Sequence, residues 1–157
     1  MPAHLFPSLL AASILLALAL FPARHVSAAD GLVALKSPHV AKATLDKLEA
    51  LARDKGLHIF ARIDHAAGAA RVGKALRPTE LLIFGSPQGG TPFMECVQTV
   101  GIDLPLKALA WEDAQGQTWL GYNDPVHLAR RHGAADCPAA EKLGLALEGL
   151  AKASVAP

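Results

Sequence analysis

Four linked segments over residues 80–123 set the strongest limit on what this chain can fold into. A short apolar strand comes first, followed by a loop rich in glycine and proline and by a short helix. Two further strands follow at residues 104–111 and 117–122, with a short polar turn between them. Strands joined by so short a turn pair in the antiparallel direction. The stretch therefore predicts an antiparallel sheet with a helical insertion.

The segment before this stretch begins with another strand and a helix. Residues 31–36 are mostly branched and apolar, which is typical of a strand. Ser37 is predicted to cap the next helix, with Pro38 at its first position, where a missing N–H costs nothing. Apolar residues then recur at helical spacing as far as about Lys55. Gly56 is predicted to end this helix in a left-handed conformation.

Residues 57–64 alternate between apolar and polar side chains, as a half-buried strand does. Asp64 can cap the Ala-rich turn that follows, which predicts a short helix. The alternation predicts one apolar strand face, formed by Leu57, Ile59, Ala61 and Ile63.

Proline and glycine mark the remaining helices. Residues 85–90 are predicted to form a loop, after which Thr91 and Pro92 begin a short helix that carries Cys96. The order of elements predicts one α+β domain, residues 29–157, with an antiparallel sheet covered on one side by helices. Two further helices are predicted to begin by the same pattern, at Asp124-Pro125 and Cys137-Pro138.

An apolar segment near the N-terminus predicts export. Residues 9–21 are apolar but shorter than the roughly 20 residues that span a bilayer. The small residues at 26–29 suit signal peptidase, so residues 1–28 are predicted to be a signal peptide. The protein would then be periplasmic or secreted, with no stable membrane span after cleavage. Because no Lys or Arg precedes the apolar run, an uncleaved anchor remains the alternative.

The charge of the chain argues against two classes of partner. The formal net charge is +1 at pH 7, and loss of Arg24 with the leader would bring it to zero. Nucleic acids and anionic membranes are bound by surfaces with a positive field. The sequence therefore predicts no nucleic-acid partner.

Cys96 and Cys137 are the two cysteines of the chain. An even pair in an exported protein is typical of a structural disulfide. Two buried thiols, or metal or redox chemistry, are the alternatives, although a redox-active pair is more often spaced as CxxC.

Four motifs resemble one known family. They are FARIDH at residues 60–65, LRPTELLIFGSPQGGTP at 76–92, GIDLPLKALAWED at 101–113 and WLGYNDP at 119–125. In this order they closely resemble the domain-of-unknown-function 302 family, over residues 31–150. The resemblance implies a TATA-binding-protein-like two-layer sandwich, a homodimer and, often, an exported bacterial protein. It implies no assigned reaction.

Polar residues near the strand ends form the candidate ligand site. Asp64 beside His65 could support base chemistry or bind a ligand, while a local cap and hydrogen bond is the alternative. Lys107 and Tyr122 are predicted to lie close on one face of the hairpin, although they could also belong to a structural polar network. The predicted ligand-binding residues are Asp64, His65, Ser86, Thr91, Asp103, Lys107, Tyr122 and Asn123.

The leading functional prediction is a homodimeric module that binds an unknown small ligand or acts as an accessory protein. One alternative is a small periplasmic enzyme with His65 or Lys107 as acid or base. Another is weak metal binding through His65. No cofactor and no dedicated metal site are predicted, because HxxxH, CxxC and HExxH are absent from the sequence. His127 and His132 lie five residues apart and so do not share a helix face.

Overall fold

The computed structural model describes residues 29–157, and the predicted leader lies outside this range. The described chain contains five strands, five α-helices and one 3₁₀ helix. The strands are β1 (Leu32–Ser37), β2 (His58–Asp64), β3 (Thr79–Gly85), β4 (Leu106–Glu112) and β5 (Thr118–Asn123). The helices are α1 (Ala41–Asp54), α2 (His65–Arg71), α3 (Pro87–Cys96), the 3₁₀ helix (Gln98–Ile102), α4 (Pro125–Arg131) and α5 (Pro138–Ser154).

The five strands form one antiparallel sheet in the order β1-β5-β4-β3-β2. Helix α1 packs across β2, β3, β4 and β5, and α5 packs beside α1. The predicted α+β architecture is therefore confirmed, with helices covering one side of an antiparallel sheet. No helix in residues 29–157 is long and apolar enough to cross a membrane.

The main core lies between the sheet and the helices. Leu45 and Leu48 of α1 are fully buried against Leu82, Phe84 and Leu120 of the sheet. Burying one such side chain stabilises a fold by about 1.5–3 kcal/mol. A smaller second cluster lies under α3 and α4 and contains Phe93, Val100, Leu128, Ala129, Cys137 and Ala140.

The opposite face of the sheet, here called the open face, contributes to neither core cluster. Trp111 and Trp119 stack on it with ring centroids 6.4 Å apart. Gly121 allows this arrangement, because a Cβ at that position would lie 2.8 Å from the Trp111 ring. The other large apolar side chains of the open face are Leu32, Leu81, Ile83 and Leu109, which are half-buried, and Ile63, which is 39% exposed.

Several local predictions are confirmed. Asp64 caps α2 by accepting a hydrogen bond from the Ala67 N–H at 2.8 Å. Asp124 caps α4 in the same way, with the Val126 N–H at 2.9 Å. Gly56 follows α1 with φ of +73°, the left-handed conformation that favours glycine.

The predicted cap at Ser37 is wrong. Ser37 is the last residue of β1, where it pairs with Thr118. Its hydroxyl lies 2.7 Å from the Thr44 hydroxyl, so it ties the strand to α1 without capping the helix. Helix α1 begins four residues later, at Ala41.

The predicted alternation along β2 holds only as far as Ile59. A register shift lies between Ile59 and Ala61, and Phe60 is 58% exposed there. The extra residue reverses the faces that follow, so Ala61 and Ile63 leave the core side and Arg62 enters it. Arg62 then bonds the Glu80 carboxylate at 2.8 Å and the Lys42 carbonyl at 3.1 Å.

The predicted loop at residues 85–90 and the predicted cap at Thr91 are also wrong. Helix α3 begins at Pro87 with Ser86 as N-cap, so residues 87–90 are helical. Pro87 occupies the first turn, where its missing N–H has no helical partner to lose. Thr91 is an exposed residue inside this helix.

Candidate functional site

A groove of about 920 Å³ lies between α3 and α5, beside the ends of β3 and β4. We call it the α3–α5 groove. Its walls are mainly apolar, and small-molecule sites typically share this character and occupy about 300–1,000 Å³. The principal apolar side chains that line it are Met94, Leu104, Leu143, Ala146, Leu147 and Leu150.

Two glycines of α3 face side chains that line the groove. A Cβ at Gly89 would lie 3.4 Å from the Leu143 side chain of α5, and a Cβ at Gly90 would lie 3.6 Å from Leu104. Larger residues here would push α3 outwards or fill the groove. An added Cβ at either position would make only ordinary van der Waals contact, so alanine would fit at both.

A disulfide joins the last residue of α3 to the residue before α5, beside the groove. Cys96, the last residue of α3, is bonded to Cys137, the residue before α5, with Cα atoms 5.9 Å apart. Phe93 is fully buried on the far side of α3. The bond and the buried ring together fix the position of α3 against α5.

Few polar groups line the groove. Ser86 and Gln88 lie at the first turn of α3, and Thr91 lies further along the helix. The Ser86 hydroxyl makes no capping hydrogen bond, so it is free to bind a ligand. Among the described residues that line the groove, Lys142 of α5 alone carries a charge.

Only two of the eight predicted ligand-binding residues, Ser86 and Thr91, line this groove. Asp64 is engaged as the cap of α2, and His65 is the exposed first residue of that helix. This arrangement matches the alternative of a local cap. Asn123 lies exposed at the end of β5, where it pairs with Leu32.

The expected approach of Lys107 and Tyr122 is wrong. Tyr122 pairs with Ala108 across the hairpin, and both side chains are buried on the helix side. Lys107 precedes Ala108 in β4, so the Lys107 side chain points to the open face. The Lys107 ammonium donates to the backbone carbonyls of Asp103 at 2.8 Å and Pro105 at 2.9 Å. Burial raises the pKa of the Tyr122 phenol, and the charges of Glu148 and Asp124 raise it further.

A polar cluster around Asp103, one of the predicted ligand-binding residues, joins α4 to the 3₁₀ helix. His132 lies 2.7 Å from the Asp103 carboxylate through Nε2 and 2.9 Å from the Thr99 hydroxyl through Nδ1. Arg131 makes a longer contact with the same carboxylate, at 3.4 Å. None of these residues lines the α3–α5 groove. The cluster therefore acts as a tie between two helices.

The contacts of this cluster span about thirty positions of sequence, with Asp103 and His132 separated by 29. No short motif could have revealed them. In residues 29–157, no three His, Cys, Asp or Glu side chains lie close enough together to hold a metal ion.

Comparison with known proteins gives a family and a fold. The sequence profile of the family described as "Domain of unknown function DUF302" matches residues 33–150. A crystal structure of an uncharacterised conserved DUF302 protein from Bacillus stearothermophilus superposes with a TM-score of 0.64 at 20% identity, covering 81% of this chain and 97% of that chain.

Curated relatives carry a different printed name. "Fluoride-specific ion channel FluC 1" of Brucella suis is 50% identical over 103 residues, which is 66% of this chain and 41% of the relative. The FluC 1 protein of Brucella abortus matches equally well over 38% of its length. This chain thus spans about two fifths of the curated relatives that it matches.

Proposed function

We propose that this chain, which belongs to the DUF302 family, is a small-ligand-binding module whose site is the α3–α5 groove. The observation that carries the proposal is the groove itself, with a volume of about 920 Å³ and mainly apolar walls. The disulfide supports it, because Cys96 and Cys137 hold the two walls together. The uncharged hydroxyls of Ser86 and Thr91 would orient the ligand.

Filling the groove should weaken binding. The change Ala146→Phe places a ring on the exposed, groove-lining side of α5. We expect the affinity for the neutral dye Nile red to fall at least tenfold, which is about 1.4 kcal/mol. Fluorescence titration measures this.

The matched control for this experiment is Leu145→Phe. Leu145 is the adjacent residue of the same helix, is 71% exposed and does not line the groove. Its dye affinity should equal that of the unmodified protein. Equal affinities for all three proteins would contradict the proposed site.

We further propose that the protein is a homodimer joined through the open face. Trp111, Trp119, Leu81 and Leu109 are half-buried apolar side chains on neighbouring strands, with the Lys36 ammonium over the Trp119 ring at 5.5 Å from its centroid. Surfaces of this kind on soluble domains are typically covered by a partner. A second copy of the same chain presents an identical surface, which suits a two-fold, isologous contact.

We also propose that the protein works in the periplasm or is secreted. The Cys96–Cys137 disulfide supports this compartment, because such bonds persist under oxidising conditions. The apolar segment at residues 9–21 supports it as the core of a signal peptide.

An accessory role beside a membrane channel is the second candidate function. It is supported by the 50% identity over 103 residues with proteins named as fluoride channels. If the chain assists fluoride export, deletion of its gene should lower the sodium fluoride concentration that halts growth of its host. Growth curves with and without a complementing copy measure this effect, and unchanged tolerance would remove the candidate.

A further inference from the structure

The charge of the α3–α5 groove indicates the class of its ligand. Lys142 is the single charged residue among the described residues of the lining. Within residues 29–157 it takes part in none of the ion pairs or side-chain hydrogen bonds, whereas Lys152 of the same helix pairs with Glu148 at 2.6 Å. A free cation on an apolar wall is complementary to an anionic group on an apolar molecule.

Both α3 and α5 contribute polar groups to the lining of the groove. Gly89 is the point where α3 crosses α5, since a Cβ there would lie 3.4 Å from Leu143 and 3.9 Å from the Ser86 hydroxyl. Lys142 is the neighbour of Leu143 on α5. The Lys142 side chain, the free Ser86 hydroxyl and the first turn of the ten-residue helix α3 all line this groove. A helix N-terminus also favours a negative charge.

The apolar wall extends from this crossing along α5. Leu143, Leu147 and Leu150 recur at helical spacing and all line the groove. At a rise of about 1.5 Å per residue, the wall from Leu143 to Leu150 is about 10 Å long. That length suits an alkyl chain of medium length.

We propose that the groove binds a free, monomeric alkyl carboxylate. The carboxylate lies at Lys142 and the Ser86 hydroxyl, and the alkyl chain lies along the open part of the α5 wall, from Leu143 past Ala146 towards Leu150. This assignment rests on the proposed ligand-binding function and specifies its chemical class.

Three probes that share one chain length test the assignment. They are octanoate, 1-octanol and octyltrimethylammonium, titrated with calorimetric detection, the two ionic probes below their micelle concentrations and 1-octanol below its solubility limit. The unmodified protein should bind octanoate at least about fivefold more tightly than 1-octanol, because an ion pair and a helix N-terminus each contribute modestly at an exposed site. The cationic probe should bind most weakly.

Lys142→Gln should remove most of the preference for octanoate, leaving only the contribution of the α3 N-terminus, and should leave the affinity for 1-octanol unchanged. Lys152→Gln is the matched control on the same helix and should behave as the unmodified protein. Added salt should reduce the preference for octanoate.

Two results would overturn the carboxylate assignment while leaving the ligand-binding function standing. One is equal binding of octanoate and 1-octanol by the unmodified protein. The other is an octanoate affinity that Lys142→Gln does not change. Co-sedimentation with phosphatidylglycerol vesicles without octanoate binding would overturn it in favour of a membrane surface. If none of the three probes bound and Nile red also failed, the ligand-binding function itself would fall.

Discussion

Replacing Cys96 and Cys137 together by alanine should lower the free energy of unfolding by about 4 kcal/mol in the chain-entropy description of a disulfide. The bond joins residues 41 apart in sequence, so its loss frees a long loop in the unfolded chain. We expect the melting temperature to fall by more than about 10 °C, given that each 1 kcal/mol shifts a domain of this size by several degrees. Urea unfolding and calorimetry measure both quantities.

The control is the reduced wild-type protein, which separates loss of the bond from loss of the side-chain atoms that the substitution removes. Cys137 is 4% exposed and packs in the second core cluster, so truncating its side chain costs some stability by itself. Reduction breaks the bond without removing a sulfur. A large drop on mutation but none on reduction would show that packing, and not the covalent link, stabilises this region.

The same bond should matter for the groove. It fixes the end of α3 to the beginning of α5, and these helices form the groove walls. We therefore expect the reduced protein to bind Nile red more weakly even at temperatures where it stays folded. The disulfide thus connects the stability of the fold to the shape of the site.

The parts of the fold that could be predicted from the sequence are those with local causes. The hairpin of β4 and β5 follows from two apolar runs and a five-residue polar turn, and the structure places its strands as expected. Asp64 and Asp124 cap their helices through backbone N–H groups two or three residues away. Such interactions need no knowledge of the tertiary structure.

The parts that could not be predicted depend on distant partners. The register shift at Phe60 is a property of the pairing between β2 and β3, and it sends Arg62 instead of Ala61 to the helix side. The sequence does not fix the start of α3, because Ser86-Pro87 and Thr91-Pro92 carry the same pattern of a capping residue followed by proline. Local sequence does not distinguish which pair begins the helix.

The sequence gives little sign of the candidate site, because the groove is mainly apolar. Polar side chains do not mark the α3–α5 groove, because it is formed mainly by leucines and by the backbone of Gly89 and Gly90. Leucines at helical spacing predict a buried helix face equally well. Only the packing of α3 against α5 leaves part of that face, around Leu143 and Ala146, open to a ligand.

Leu109→Glu should convert the proposed dimer into a monomer. Leu109 lies on β4, the central strand of the sheet, and pairs with Leu81 and Gly121 on its two sides. In a two-fold dimer the substitution is present in both copies, so two carboxylates lie in the apolar interface. An unpaired charge is strongly unfavourable there. We expect the dissociation constant to rise at least a hundredfold, which is about 2.7 kcal/mol. Native mass spectrometry and light scattering across a dilution series measure it.

The monomer should remain folded, because Leu109 belongs to neither core cluster and a carboxylate on a solvated sheet face carries little penalty. Val40→Glu is the matched control, since Val40 is 69% exposed at the start of α1 on the helix side, and it should leave the dimer intact. Dissociation by both variants would indicate a general charge effect. A dimer that survives Leu109→Glu but not a charge on the helix layer would place the contact on that layer, and the apolar open face would then require a different partner.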